Sequence, residues 1–230
     1  MLKDKIKKDQ PDILLLKETK CAGIEANITL QRCWKQAEYV EVDARGVAEG
    51  FPMLSDPTTV LLDNFFTSKW TITASFHLIG SNKQGYITNV YVPPRPGDKE
   101  AFLQHLEWIA EQLGPKCWIL GGDFNMIIGL EEKKGGHHSL GNDNISFNDT
   151  ISLLNLIDVG TDNGMFRWSN RHSGAQHISN RLDFFLISEA IIMDGLAWNA
   201  TVIDTPGSYY WPILLTLDIT GTPGSKIVLL

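Results

Sequence analysis

Apolar residues recur along the chain in unbroken runs and in alternation, which mark strands, and at spacings of three and four, which mark helices. Leu2 and Ile6 share one face of a short charged helix that Pro11 ends. Asp12 to Leu16 (DILLL) is a compact apolar run suited to a buried strand, and its end delivers Glu18. Trp70 to Ile79 (WTITASFHLI) places Trp70, Ile72, Ala74, Phe76 and Leu78 on one face and mostly polar residues on the other, predicting a half-buried strand. A turn at Ser81-Asn82 and Gly85 joins it, as an antiparallel hairpin, to Tyr86 to Val92 (YITNVYV), closed by Pro93-Pro94. From Lys99 to Leu113, apolar residues at 102, 106, 109, 110 and 113 predict a helix that Gly114-Pro115 stops. The following CWILGGDFN reads as a strand running into a loop.

Gly129 to Asn144 is rich in Gly, Asn, Lys and His and predicts a mobile surface loop, followed by a helix over Phe147 to Ile157. Short β-like segments come next at 165–169, 181–188, 198–204 and 213–219, separated by Gly, Asn, Ser and Pro. Many strands with helices interposed predict an α/β or α+β class with sheets packed in layers. The 230 residues, 43% of them hydrophobic, suffice for one large core without internal repeats, so residues 1–230 are expected to form a single domain.

Charge and cysteine usage narrow the functions. With 27 acidic against 20 basic residues, the chain as a whole repels nucleic acid unless basic groups cluster or cations intervene. Cys21, Cys33 and Cys117 are odd in number and lack any CxxC pairing, which reads as reduced thiols in an intracellular, nuclear or cytoplasmic, unsecreted protein. The N-terminus has basic residues but no apolar signal core, and no stretch is long enough to span a membrane. The sequence is silent on oligomeric state.

Two carboxylates, Glu18 and Asp123, sit just past the apolar runs DILLL and CWIL, at the ends of two predicted strands. If those strands are neighbours the acids converge, and their oxygens suit a hard cation such as magnesium that keeps waters for a phosphate substrate. His137 and His138 lie in a Gly-rich loop without Cys or acidic partners at ligand spacing and read as a solvated pair. Arg167, Arg171, His172, His177 and Arg181 read as ordinary loop polarity that could also meet phosphates.

The strings LLLKETK, NVYVP, GGDFN and RLDFFLIS, in this order, resemble the endonuclease/exonuclease/phosphatase superfamily. GDFN followed by EEKKGG, a helix ending in LIDV, FRWSN and RLDFFLIS is similar to the endonuclease domain of plant LINE-type (non-LTR) retrotransposons, over about Pro11 to Leu217. The resemblance implies a four-layer α/β sandwich of two mixed, mostly antiparallel sheets flanked by helices, the DNase-type nuclease fold. It implies magnesium (Mg2+), with manganese (Mn2+) in its place, as cofactor and DNA as substrate. Residue by residue, Glu18 resembles the metal-binding glutamate and Tyr91 the tyrosine at the scissile phosphate. Asp123 resembles the aspartate that prepares the water, and Asn125 the asparagine that holds the phosphate. Asp183 resembles the aspartate that orients a catalytic histidine. Trp168, Arg167 and Asn170 match a segment near the substrate groove.

Two departures qualify that picture. The family's Ser-Asp-His segment reads here Ser208-Tyr209-Tyr210. A phenol with a pKa of about 10 supplies neither an imidazolium nor a ready base, and such acid–base assistance is worth a factor of about one hundred to ten thousand. Asp183 is then expected to lose its partner, unless Tyr210 donates to it or it stays wet. The family's opening strand, with an asparagine near the metal, is also missing, so the domain is expected to be truncated at its N-terminus. That truncation would weaken metal binding and leave a gap in a sheet for neighbours to close. The sequence-based expectation is a retrotransposon-derived endonuclease-like domain with impaired activity. The alternatives are a non-catalytic nucleic-acid-binding or protein-interaction module, and a phosphatase of a small phosphorylated molecule.

Overall fold

A computed structural model describes residues 2–17, 24–40, 51–135, 139–163, 168–169, 179–203, 211–218 and 224–230, with backbone alone at 24–27, 96 and 168–169. The first half runs α1 (Leu2–Asp9), β1 (Ile13–Leu15), α2 (Ile24–Cys33), β2 (Glu38–Val40), β3 (Met53–Ser55), β4 (Val60–Thr67), β5 (Thr71–Leu78), β6 (Gln84–Tyr91) and α3 (Pro96–Leu113). The second continues β7 (Trp118–Asp123), β8 (Lys133–Lys134), α4 (Asn142–Leu153), β9 (Leu156–Val159), β10 (Trp168–Ser169), β11 (Ser179–Asn180), β12 (Asp183–Ser188), α5 (Glu189–Met193), β13 (Ala197–Val202), β14 (Ile213–Asp218) and β15 (Ser225–Leu229).

Two six-stranded sheets, ordered β13-β14-β15-β1-β3-β2 and β4-β5-β6-β7-β12-β9, pack face to face. Each is antiparallel except at one parallel pair, β1 with β15 and β6 with β7. Residues of one parity along each strand bury between the sheets: Ile13, Leu15, Ile72, Ile87, Ile119, Phe185 and Leu215. Opposite parity faces outward. Leu14 and Leu16 meet Ile6 of α1 and Leu30 of α2, while Val90, Leu120 and Phe184 meet Phe102 and Leu106 of α3 and Phe147 of α4. Helices therefore cover both outer faces, giving the expected four-layer sandwich.

The structure corrects several local expectations. The β5–β6 hairpin forms as predicted, but β5 is buried on both faces over its first half, because α3 covers the side that carries its threonines. Those hydroxyls pair internally, Thr73 with Thr88 at 2.9 Å and Thr71 with His105 at 2.9 Å. LIDV is a strand, β9, and the helix before it starts earlier, at Asn142; Asn155, at φ 50°, breaks the chain between them. The predicted loop over 129–144 contains a 3-10 turn at Leu130–Glu132 and the strand β8, which joins β11 and β10 in a three-stranded sheet; residues 136–138, with both histidines, lie outside the described residues. β1 is paired on both edges, with β15 in parallel from Ile13↔Ile227 to Leu15↔Leu229 and with β3 antiparallel.

Candidate active site

Register alone brings three of the expected residues together. Tyr91 ends β6 and pairs with Asp123 at the end of β7, and Asp123 pairs in turn with Asp183 at the start of β12. Side chains directly opposite one another on adjacent strands have Cβ atoms about 4.5–5.5 Å apart and point to one face. That face is the inner one, because Ile87, Ile119 and Phe185, at even spacing along the same three strands, lie in the inter-sheet core. The row therefore closes one end of the space between the sheets. Asp123 is 7% exposed and Asp183 1%.

The GGDFN segment explains how the strands come so close. A Cβ on Gly122 would collide with the Val90 backbone, and one on Gly121 with the Phe185 ring and Leu15. After Asp123 the chain turns: the Asn125 N–H donates to Asp123 Oδ1 at 3.0 Å, and Asn125 takes φ 49°. Asn125 Nδ2 donates to the Val92 carbonyl at 2.8 Å, so its amide is fixed beside the β6 end. The Tyr91 ring packs against Phe51, with centroids 6.1 Å apart.

The facing sheet contributes Lys17. Ile13, Leu15 and Lys17 follow the inward parity of β1, and the Lys17 ammonium donates to Asp183 Oδ1 in an ion pair whose side chains are 5% and 2% exposed. The expectation that Asp183 lacks a partner is thus corrected: a lysine 166 residues away in sequence supplies one. Asn89, two residues before Tyr91 on the same face, donates through Nδ2 to the carbonyls of Leu16, Phe51 and Pro52 at 3.0–3.1 Å and ties the two sheets together beneath the site. The sequence reading missed both residues. Their signal was parity: each is a polar residue at an inward position of a buried strand.

Arg181 also departs from its expected role. It is buried, donates to Glu132 Oε1 at 2.5 Å and to both Asp158 oxygens at 2.7 Å, and lies over the Phe184 ring at 4.9 Å. Burial opposes its charge, but the hydrogen bonds and charges of Asp158, then Glu132, outweigh it and hold the guanidinium pKa above its ordinary value. The ion cluster fixes the turn at 128–132 to the start of β12.

Glu18, Arg167, Asn170, Tyr209 and Tyr210 lie outside the described residues, and Trp168 is described only in its backbone, as part of β10. The described acids that could meet a magnesium ion here are Asp123 and Asp183. The donors are oxygens of the right kind, but Asp183 is bonded to an ammonium and Asp123 Oδ1 already accepts an N–H. Among the described residues no three His, Cys, Asp or Glu side chains gather to hold a metal. Among the described residues, then, the donor set does not fit the ion; Glu18, the residue expected to hold it, lies outside them.

No family model and no curated protein matches the chain. Solved structures do. The endonuclease domain of TRAS1, a telomere-specific non-LTR retrotransposon, superposes with TM-score 0.71 at 15% identity, covering 95% of this chain and 91% of that one. An endonuclease/exonuclease/phosphatase from Bacteroides vulgatus gives 0.68 at 14% identity over 95% and 88% of the two chains. D. rerio TDP2, complexed with single strand DNA product, gives 0.62 at 12% identity over 94% and 89%. The chain has the fold of the endonuclease/exonuclease/phosphatase proteins.

Proposed function

We propose that the chain is a retrotransposon-derived endonuclease-like domain, similar to those of plant LINE elements, whose ancestral magnesium-dependent hydrolysis of DNA phosphodiester bonds is reduced to near background. The observation that carries this is the Asp183 carboxylate bonded to Lys17 in a chain that reads Ser208-Tyr209-Tyr210 where the family has Ser-Asp-His. In the ancestral arrangement Glu18 holds the metal, Asp123 prepares the water, Tyr91 and Asn125 hold the phosphate, and Asp183 orients the histidine. Asp123 and Tyr91 are register partners and the Asn125 amide is fixed beside the β6 end, which supports persistence of the proposed phosphate-holding groups, while the segment Ser208-Tyr209-Tyr210 carries no imidazole for proton transfer. DNA as the ancestral substrate is supported by the names of the TRAS1 domain and of TDP2 with its DNA product. Residues 167–170, around β10, are the proposed groove. The proposed compartment is intracellular, nuclear or cytoplasmic; among the described residues no helix is long and apolar enough to cross a membrane.

The test is nicking of supercoiled plasmid in magnesium by the unmodified chain and by Tyr209→Asp/Tyr210→His. Nicking by the unmodified chain is expected at the metal-free rate. Efficient magnesium-dependent nicking by it refutes the proposal. Titration with a short duplex at low and high salt separates the remaining readings, because salt-dependent binding without cleavage marks a binding module.

A further inference from the structure

Asp123 and Asp183 are direct cross-strand partners, both buried at one end of the inter-sheet space. Like charges placed so are unfavourable in a medium that screens poorly, and such a pair demands a cation. The chain brings one from the opposite sheet, on the strand β1 whose inward parity is otherwise apolar: Ile13, Leu15, then Lys17. The Lys17 backbone is fixed as well, its N–H donating to the Leu230 carbonyl at 3.0 Å, so the side chain starts from a held strand end.

We infer that Lys17 is an internal counter-cation, which through its bond to Asp183 offsets one of the two charges of the Asp123–Asp183 pair and thereby suppresses divalent-cation binding at this site. A magnesium ion needs carboxylate oxygens that no other cation holds, and a fixed ammonium beside them repels it. The inference deepens the proposed loss of activity and rests on that reading for the identity of the ion, which is there assigned to Glu18, the residue that follows Lys17. The same bond gives the Asp183 carboxylate a structural partner.

The experiment uses the full chain and Lys17→Met, which keeps the stem and removes the charge. Free manganese is followed by electron paramagnetic resonance during titration, and thermal unfolding is recorded in EDTA and in magnesium. The unmodified chain is expected to show no saturable manganese binding below the millimolar range and the same melting temperature in both buffers. Lys17→Met is expected to melt lower in EDTA and to bind manganese at least about tenfold more tightly, since one adjacent like charge is gone. Magnesium at ten times its dissociation constant should then raise the variant's melting temperature by about 3–5 °C. Lys17→Met/Asp183→Asn, which removes both charges, is expected to fold in EDTA and to lose the gain in manganese affinity.

Saturable micromolar manganese binding by the unmodified chain overturns the inference. So does a Lys17→Met variant indifferent to magnesium, or one that fails to fold in magnesium while the double variant folds. Efficient nicking by the unmodified chain removes the functional reading, whereas tight manganese binding without nicking removes the counter-cation alone.

Discussion

Replacing Arg181 by methionine tests the ion cluster that anchors the 128–132 turn to the start of β12. The substitution keeps the aliphatic stem over Phe184 but removes the bonds to Glu132 and Asp158 and a further one to the Val159 carbonyl at 3.1 Å. Glu132, 3% exposed, is left with a buried charge that, among the described residues, the N–H groups of Ile128 and Gly129 hold. Breaking a buried pair by removing one partner destabilises by about 3–5 kcal/mol. Asp158 is partly exposed and rehydrates, which places the expected loss near the lower end of that range, about 3 kcal/mol. In a chain of this size each kcal/mol lowers the melting temperature by about 2–4 °C, so the variant should melt about 6–12 °C lower. Urea unfolding, followed by circular dichroism and tryptophan fluorescence, measures the loss directly. A loss under about 1 kcal/mol, the range of exposed pairs, would refute the buried-cluster argument. Arg181→Lys should fall between the two, because an ammonium keeps the charge but cannot match the planar fork to Asp158.

Two further outcomes follow from the packing. Burial lowers the His105 pKa below its ordinary value, its ring lying between Trp70 and Trp108 and bonded to Thr71. The unfolded chain then binds more protons near the ordinary histidine pKa, so stability from this group is fully present above about pH 6.5 and is lost as pH falls toward the lowered folded value. Urea midpoints from pH 7.5 down to 5, at steps of about half a unit, should show a decline that His105→Gln flattens; equal slopes would contradict the assignment. Gly122→Ala should destabilise by at least about 1–3 kcal/mol, because the new methyl meets the Val90 backbone and not a side chain that can turn away. Chemical denaturation reads it, and a neutral result would show that β6 and β7 can separate.

Much of this architecture could be read from the residues, and the failures have physical causes. The runs CWILGGD and LDFFLIS are apolar on both faces because layers cover β7 and β12 on both sides, and such strands announce themselves. Their register puts Tyr91, Asp123 and Asp183 in one row. LIDV was misread because a short apolar run after a helix fits either periodicity, and the single residue Asn155 decides between them. β4 escaped notice because it is an edge strand with Leu61, Phe65 and Phe66 partly exposed, so its pattern is neither alternating nor continuous. Lys17 drew no reading and Arg181 reads as loop polarity because their partners are distant in sequence, and no local pattern records such pairings. Lys17 did carry one clue, its inward parity after Ile13 and Leu15.

The most direct test of the central claim is a crystal structure grown in manganese, with anomalous data collected near the manganese edge. Lys17 Nζ is expected on the Asp183 carboxylate, with Tyr91 and Asp123 beside it and no anomalous peak against either acid. A manganese ion bridging Asp123 and Asp183, with the Lys17 side chain turned away, would contradict the account.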